Sequence, residues 1–242
     1  MDTMLLETKA LSKVYNKRSV VSNLSFSVGR GEIVGLLGPN GAGKTTAFYI
    51  TIGLIRPDSG RVLFQDEDIT ELPIHKRAKR GMGYLAQEPS VFRNMSVEDN
   101  LLTILETLKL SKDERYHRLD SLLEELHLTS LRNKIACTLS GGERRRLEIT
   151  RSLITNPSLL LLDEPFANVD PITVSEMKTL IAHLKSKGIS VLITDHNARE
   201  LSSVVDRSYL IKDGTVFMTG TSEELMASEM AQEAYFGKDF RL

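Results

Sequence analysis

Hydrophobic and polar positions change rhythm three times along the chain. In the first third, "MLLETKAL" (4–11), "SFSV" (25–28), "GEIVGLLG" (31–38) and "RVLFQD" (61–66) are apolar or alternating runs set off by Gly, Asn and Asp, which predicts short strands joined by turns. The run "EIVGLLG" has no polar position after Glu32 and leads into a glycine-rich loop, the pattern of a parallel strand buried on both faces. Helical spacing follows in "GKTTAFYITIGLI" (43–55). From about Ser96 to Asn133 the chain turns helical and polar-rich, as in "SVEDNLLTILETLKL" and "SKDERYHRLDSLLEELHL". This block lies between strand-bearing regions and predicts a helical subdomain of approximately residues 88–150, inserted in a single domain of residues 1–242.

Beyond it, "SLLLLDEP" (158–165) and "ISVLITDH" (189–196) predict buried strands separated by the helical "TVSEMKTLIAHLKSKG". "SYLIKDGTVFMTG" (208–220) predicts a hairpin around Asp213-Gly214. Strands alternating with helices imply an α/β fold with a mainly parallel sheet.

Composition narrows the function classes. The 242 residues are 41% hydrophobic and 26% charged, with a net charge of −1, which gives no general electrostatic reason to bind nucleic acid or an anionic membrane. The basic runs at residues 75–80 and Arg144–Arg146 read as solvated helix faces. Cys137 stands alone, so no intrachain disulfide forms and a buried thiol is expected. Histidines 75, 117, 127, 183 and 196 show no zinc-ligand spacing. The acidic start "MDTMLLETKALSK" does not resemble a signal peptide, and no 18-residue apolar run occurs, so a cytoplasmic location is expected.

The chemistry concentrates in a few motifs. "GPNGAGKT" (Gly38, Pro39, Asn40, Gly41, Ala42, Gly43, Lys44, Thr45), followed by Thr46, stands between a predicted strand and helix. In that context backbone N–H groups cradle phosphates, Lys44 reaches the β- and γ-phosphates, and the Thr45 hydroxyl helps hold Mg²⁺. Asp163 ends a strand where it can bind Mg²⁺ directly or through water. Glu164 follows as a candidate general base for an attacking water. Gln87 in "YLAQEP" offers a neutral amide to Mg²⁺ or to that water. His196 in "ITDHN" is either a structural side chain or a γ-phosphate contact at the same sheet edge.

"LSGGERRRLEI" (139–149) holds a Ser140-x-x-Glu143 capping box. Gly141 and Gly142 cost a first helical turn about 1 kcal/mol each relative to alanine. A helix start with free N–H groups, a positive dipole end and a hydroxyl is an anion site. At the far end of the helical insertion, it cannot easily reach its own phosphate loop. Two copies facing head to tail satisfy both facts, each placing Ser140–Gly142 on the γ-phosphate held by the other's Lys44.

These motifs, in this order over nearly the whole chain, resemble the nucleotide-binding subunits of ATP-binding-cassette (ABC) transporters. The resemblance implies an ATPase with a RecA-like parallel sheet core, an N-terminal antiparallel β subdomain and an inserted helical subdomain. It also implies ATP with Mg²⁺, a homodimeric ATP sandwich, Tyr15 stacked on adenine, and Asp170 in the loop crossing between subunits. Phe92 and Arg93 match the region that receives coupling helices of two integral membrane subunits; a core aromatic and a surface cation remain the alternative. The family's ATPase subunit makes no direct contact with the transported substrate.

"LSGGERRRLEI", "LLDEPFANVDP", "VLITDHN" and the ending "YFGKDFRL" are similar to the lipopolysaccharide-export branch, which works on the inner face of the inner membrane. Its rivals are the ATPase of an amino-acid importer, a non-transport cassette protein acting in DNA repair or on ribosomes, and an assembly module with negligible turnover. Two positions depart from the family pattern: Ala86 where a proline commonly precedes the Gln, and Asn168 where a small residue is common.

Overall fold

The computed structural model describes residues 4–167 and 169–236. Asn168 and residues 237–242, most of the distinctive ending, lie outside the described residues. β1 (Met4–Tyr15) and β2 (Arg18–Gly29) form an antiparallel hairpin. Its turn residues Asn16 and Lys17 both take positive φ, 48° and 66°, the turn whose twist matches that of the strands. β4 (Ser59–Phe64) and β5 (Glu67–Asp68) complete an antiparallel sheet in the order β2-β1-β4-β5.

The second sheet comprises β3 (Ile33–Leu37), β6 (Met82–Leu85), β7 (Leu159–Asp163), β8 (Ser190–Thr194), β9 (Arg207–Lys212) and β10 (Thr215–Gly220), in the order β10-β9-β3-β8-β7-β6. All its pairings are parallel except the closing β9–β10 hairpin, turned by Asp213 and Gly214 with φ 49° and 77°. Every residue of β3, β7 and β8 is buried, so these strands need apolar side chains on both faces and lack a polar rhythm.

α1 (Lys44–Ile52) covers one face and joins the antiparallel sheet in a core containing Leu6, Leu24, Leu36, Phe48, Leu161 and Leu192. The opposite face meets α3 (Val97–Leu105), α4 (Lys112–Glu125), α5 (Gly141–Leu153) and α6 (Pro171–Ser186) through Leu37, Leu160, Leu162, Val191 and Ile193. These four helices thus share one continuous core with the sheet. Three short helices, α2 (Ile74–Ala78), α7 (Ala198–Ser202) and α8 (Ser222–Ala227), are too brief to show a helical period in sequence.

Three sequence expectations fail. Arg77 belongs to no solvated face: it is 1% exposed, and its guanidinium donates to the carbonyls of Ile50, Thr51, Thr70 and Leu72. Arg145 is likewise drawn inward, donating to Glu148 Oε2 at 2.9 Å and to the Ala86 carbonyl at 3.0 Å. Cys137 is exposed, not buried, because the backbone around it runs over the surface and pairs with Arg93.

Candidate active site

Four neighbouring strands, β3, β8, β7 and β6, end at one carboxyl edge, where ligands of open α/β sheets bind. β3 runs into the phosphate loop, and α1 starts at Lys44. Gly38 takes φ 148°, and a Cβ there would lie 2.1 Å from the Ile211 carbonyl oxygen, so no side chain fits. The Lys44 ammonium, 6% exposed, donates to the carbonyls of Gly38 at 2.6 Å and Pro39 at 3.0 Å. Burial pulls its pKa down, opposed by Glu164 and Asp195. Thr45 is exposed at the head of the helix, and Thr46 is half-buried.

Glu164 is the focus of the edge. Gln87 Nε2 donates to its Oε2 at 2.9 Å, and His196 Nδ1 lies 3.4 Å from the same oxygen. The Glu164 backbone has φ 45°, a left-handed conformation costly for a non-glycine residue. Its N–H donates to the Thr194 carbonyl at 2.7 Å, which holds that conformation across β7 and β8. The carboxylate is therefore aimed from a fixed backbone and gripped by two side chains from adjoining strand ends.

Asp163 is 3% exposed and accepts the Tyr84 hydroxyl at 3.4 Å. Burial raises its pKa, with Glu164 adding to the rise and hydrogen bonds from Tyr49 and Tyr84 opposing it. Sequence reasoning missed Asp195. It is wholly buried and accepts the backbone N–H groups of Phe166 at 2.9 Å and Asn197 at 2.8 Å, joining the loop after Glu164 to the one carrying His196. Its signal was an acid ending an apolar strand.

The helix start at Ser140 forms the predicted capping box: the Glu143 N–H donates to Ser140 Oγ at 3.2 Å, and the Ser140 N–H donates to the Glu143 carboxylate at 2.8 Å. A Cβ on Gly142 would fall 2.4 Å from Glu176 Oε2, the movable end of a side chain on α6; one on Gly141 would meet nothing within 4 Å. Gly141 lines a cleft of about 540 Å³ with Gln87, Arg144, Glu148 and Glu164.

Other predicted residues lie apart. Tyr15, 42% exposed, sits at the hairpin tip with Lys13 Nζ 5.6 Å from its ring centroid. Asp170 caps α6, accepting from the Ile172 and Thr173 N–H groups. Phe92, also 42% exposed, carries the Arg151 guanidinium 4.6 Å from its ring centroid; Arg93 beside it is exposed.

The ABC transporter family profile matches residues 21–167. The lipopolysaccharide export system ATP-binding protein LptB of Acidithiobacillus ferridurans is 52% identical over 238 residues, covering 98% of this chain and 99% of that protein. LptB of Escherichia coli K12 is 50% identical over the same shares. This chain belongs to the ABC transporter ATP-binding family. It is an ATP-binding domain and a transport-coupled ATPase. A crystal structure of an ABC-transporter cassette in its ADP conformation superposes with a TM-score of 0.87 at 28% identity, covering 98% of this chain and all of that one. A nucleotide-free cassette gives 0.85 at the same identity and coverage. No helix among the described residues is long and apolar enough to cross a membrane.

Proposed function

We propose that this ABC ATPase hydrolyses MgATP to power extraction of lipopolysaccharide from the inner membrane for export to the outer membrane. It acts as a homodimer on the cytoplasmic face, beneath two integral membrane subunits. The observation that carries the chemistry is the convergence of Gln87 and His196 on one oxygen of Glu164, at the edge that also bears the phosphate loop. The full-length relatives named for lipopolysaccharide export, at about half identity, support the transported molecule and favour it over an amino-acid importer.

The residues divide the work. The backbone N–H groups of Gly38 and of residues 40–46 and the Lys44 ammonium hold the phosphates, and Tyr15 stacks on adenine. Glu164 takes the proton of a water whose oxygen attacks the γ-phosphorus as the bond to the ADP oxygen breaks, yielding ADP and phosphate. Gln87 and His196 keep the Glu164 carboxylate in place and sense the γ-phosphate. Ser140, Gly141, Gly142 and Glu143 serve the site of the other copy, and Asp170 lies in the loop between copies.

The donors suit Mg²⁺. The buried Asp163 carboxylate, the Thr45 hydroxyl and the Gln87 amide are oxygen ligands of the kind a hard cation takes, and the buried hydroxyl of Thr194, the register partner of Asp163, has no hydrogen-bond partner. Bound there, the ion would neutralise phosphate charge. Phe92 and Arg93, on an exposed turn just past Gln87, receive the coupling helices, so this subunit never touches the transported lipid.

Affinity capture of the tagged protein from detergent-solubilised membranes, read by mass spectrometry, tests the assignment. Two membrane subunits with a periplasmic bridge partner are expected. Amino-acid permease subunits would overturn the substrate, and ribosomes or DNA-repair proteins the transport role.

A further inference from the structure

Beneath α1 the strand ends carry more hydroxyl groups than a phosphate loop requires. Tyr84, on β6, donates to Asp163 Oδ2 at 3.4 Å. Tyr49, on α1, interacts with the same carboxylate and with Tyr84. Thr45 and Tyr49 are four residues apart on that helix, so they share a face. Thr194, the last residue of β8, is the parallel register partner of Asp163, and such partners leave a sheet on the same side. That side faces α1, because Leu161 and Leu192, two positions earlier on each strand, belong to the core beneath it.

Thr194 is 1% exposed, yet its Oγ1 has no hydrogen-bond partner. Native structures pair nearly all buried polar atoms, so an orphan needs a reason. Packing supplies none, since valine has the same shape without the hydroxyl. A hard divalent cation supplies one: it takes few protein oxygens and keeps several waters, and those waters need acceptors and donors around them.

We infer that Tyr84 and Thr194 are positioning residues of the divalent-cation site, Tyr84 steadying the Asp163 carboxylate and the buried Thr194 hydroxyl bonding a water of the ion's hydration shell. This rests on the reading that Asp163 faces Mg²⁺. Outer-shell partners of this kind govern metal affinity at a distance, by roughly 10–100-fold when removed; with a hydroxyl 3.4 Å from its carboxylate, the lower end applies.

The test is a magnesium chloride titration of the full-length protein holding a fluorescent ATP analogue, starting in EDTA. Nucleotide affinity in EDTA and the nucleotide-free melting temperature are measured alongside. Thr194→Val is expected to raise the magnesium midpoint about tenfold, leave the affinity in EDTA unchanged, and leave the melting temperature equal or higher, because it removes an unpaired buried hydroxyl. Thr194→Ser should restore the midpoint. Tyr84→Phe should raise it with the affinity in EDTA unchanged.

An unchanged midpoint in both Thr194→Val and Tyr84→Phe overturns the inference. So does a fall in melting temperature with equal loss of nucleotide affinity with and without metal, which marks a packing role. Asp163→Asn separates the two levels: if it leaves the midpoint unmoved, the metal site itself is misassigned. If it shifts the midpoint while the other two do not, only the present inference fails.

Discussion

Arg77 is the sharpest place to test the physical reasoning, because sequence pattern and structure disagree there. Its guanidinium makes four hydrogen bonds to backbone carbonyls at 2.6–2.8 Å. Two of these carbonyls, on Ile50 and Thr51, close the C-terminal end of α1, where a cation also suits the helix dipole. Burial pulls the guanidinium down to about 10, so it stays charged at neutral pH. Arg77→Met keeps much of the apolar stem and removes every donor.

Hydrogen bonds to a charged group contribute about 1.5–3 kcal/mol each. They do not add, and the desolvation of the cation opposes them, so the net loss is about 3–5 kcal/mol, the scale of breaking a buried charged interaction. For a chain of this size each kcal/mol moves the melting midpoint by about 2–4 °C, giving a fall on the order of 10 °C. Thermal unfolding of the nucleotide-free protein by circular dichroism measures it, with Arg77→Lys expected between the two. A loss of about 0.5 kcal/mol or less, the scale of a surface substitution, would refute the account and return Arg77 to a solvated face.

Glu164→Gln keeps the contact with Gln87 but removes the base, so hydrolysis should fall by about 10²–10⁴-fold while ATP binding persists and a dimer accumulates with ATP. Light scattering that finds only monomer at adequate concentration counts against the head-to-tail site. Ser140→Arg should impair turnover more than the monomer's ATP affinity; equal losses would mark a local folding defect.

Asp163 gives the pH prediction. Its carboxyl is raised above the ordinary 3.8, first by burial. The folded chain therefore holds this proton more tightly than the unfolded chain, and the group's contribution to stability falls as pH rises through that window. Asp163→Asn should raise the nucleotide-free melting temperature at neutral pH, with the gain vanishing toward about pH 4. A lower melting temperature at neutral pH would sink that reasoning.

Local order was legible in the sequence wherever one residue type answers one local demand. The apolar runs of β3, β7 and β8, the Asp213-Gly214 hairpin and the Ser140–Glu143 capping box all appear in the structure where the pattern put them. Periodicity, turn chemistry and caps act over a few residues, so the residues themselves carry them.

Strand order is decided elsewhere. That β3, β8, β7 and β6 lie side by side, and so bring Gln87 and His196 to one oxygen of Glu164, follows from crossovers between segments as distant in sequence as Ile33 and Val191, register partners on β3 and β8. Side-chain partners at such range leave no period to read. A run of basic residues looks solvated until packing pulls Arg77 under α1, and Tyr84 passes for a strand residue until its hydroxyl meets Asp163. The sequence by itself determined the longer elements and singled out the candidate groups; only the tertiary structure decided which of them share an environment, because burial and contact are set by the whole fold.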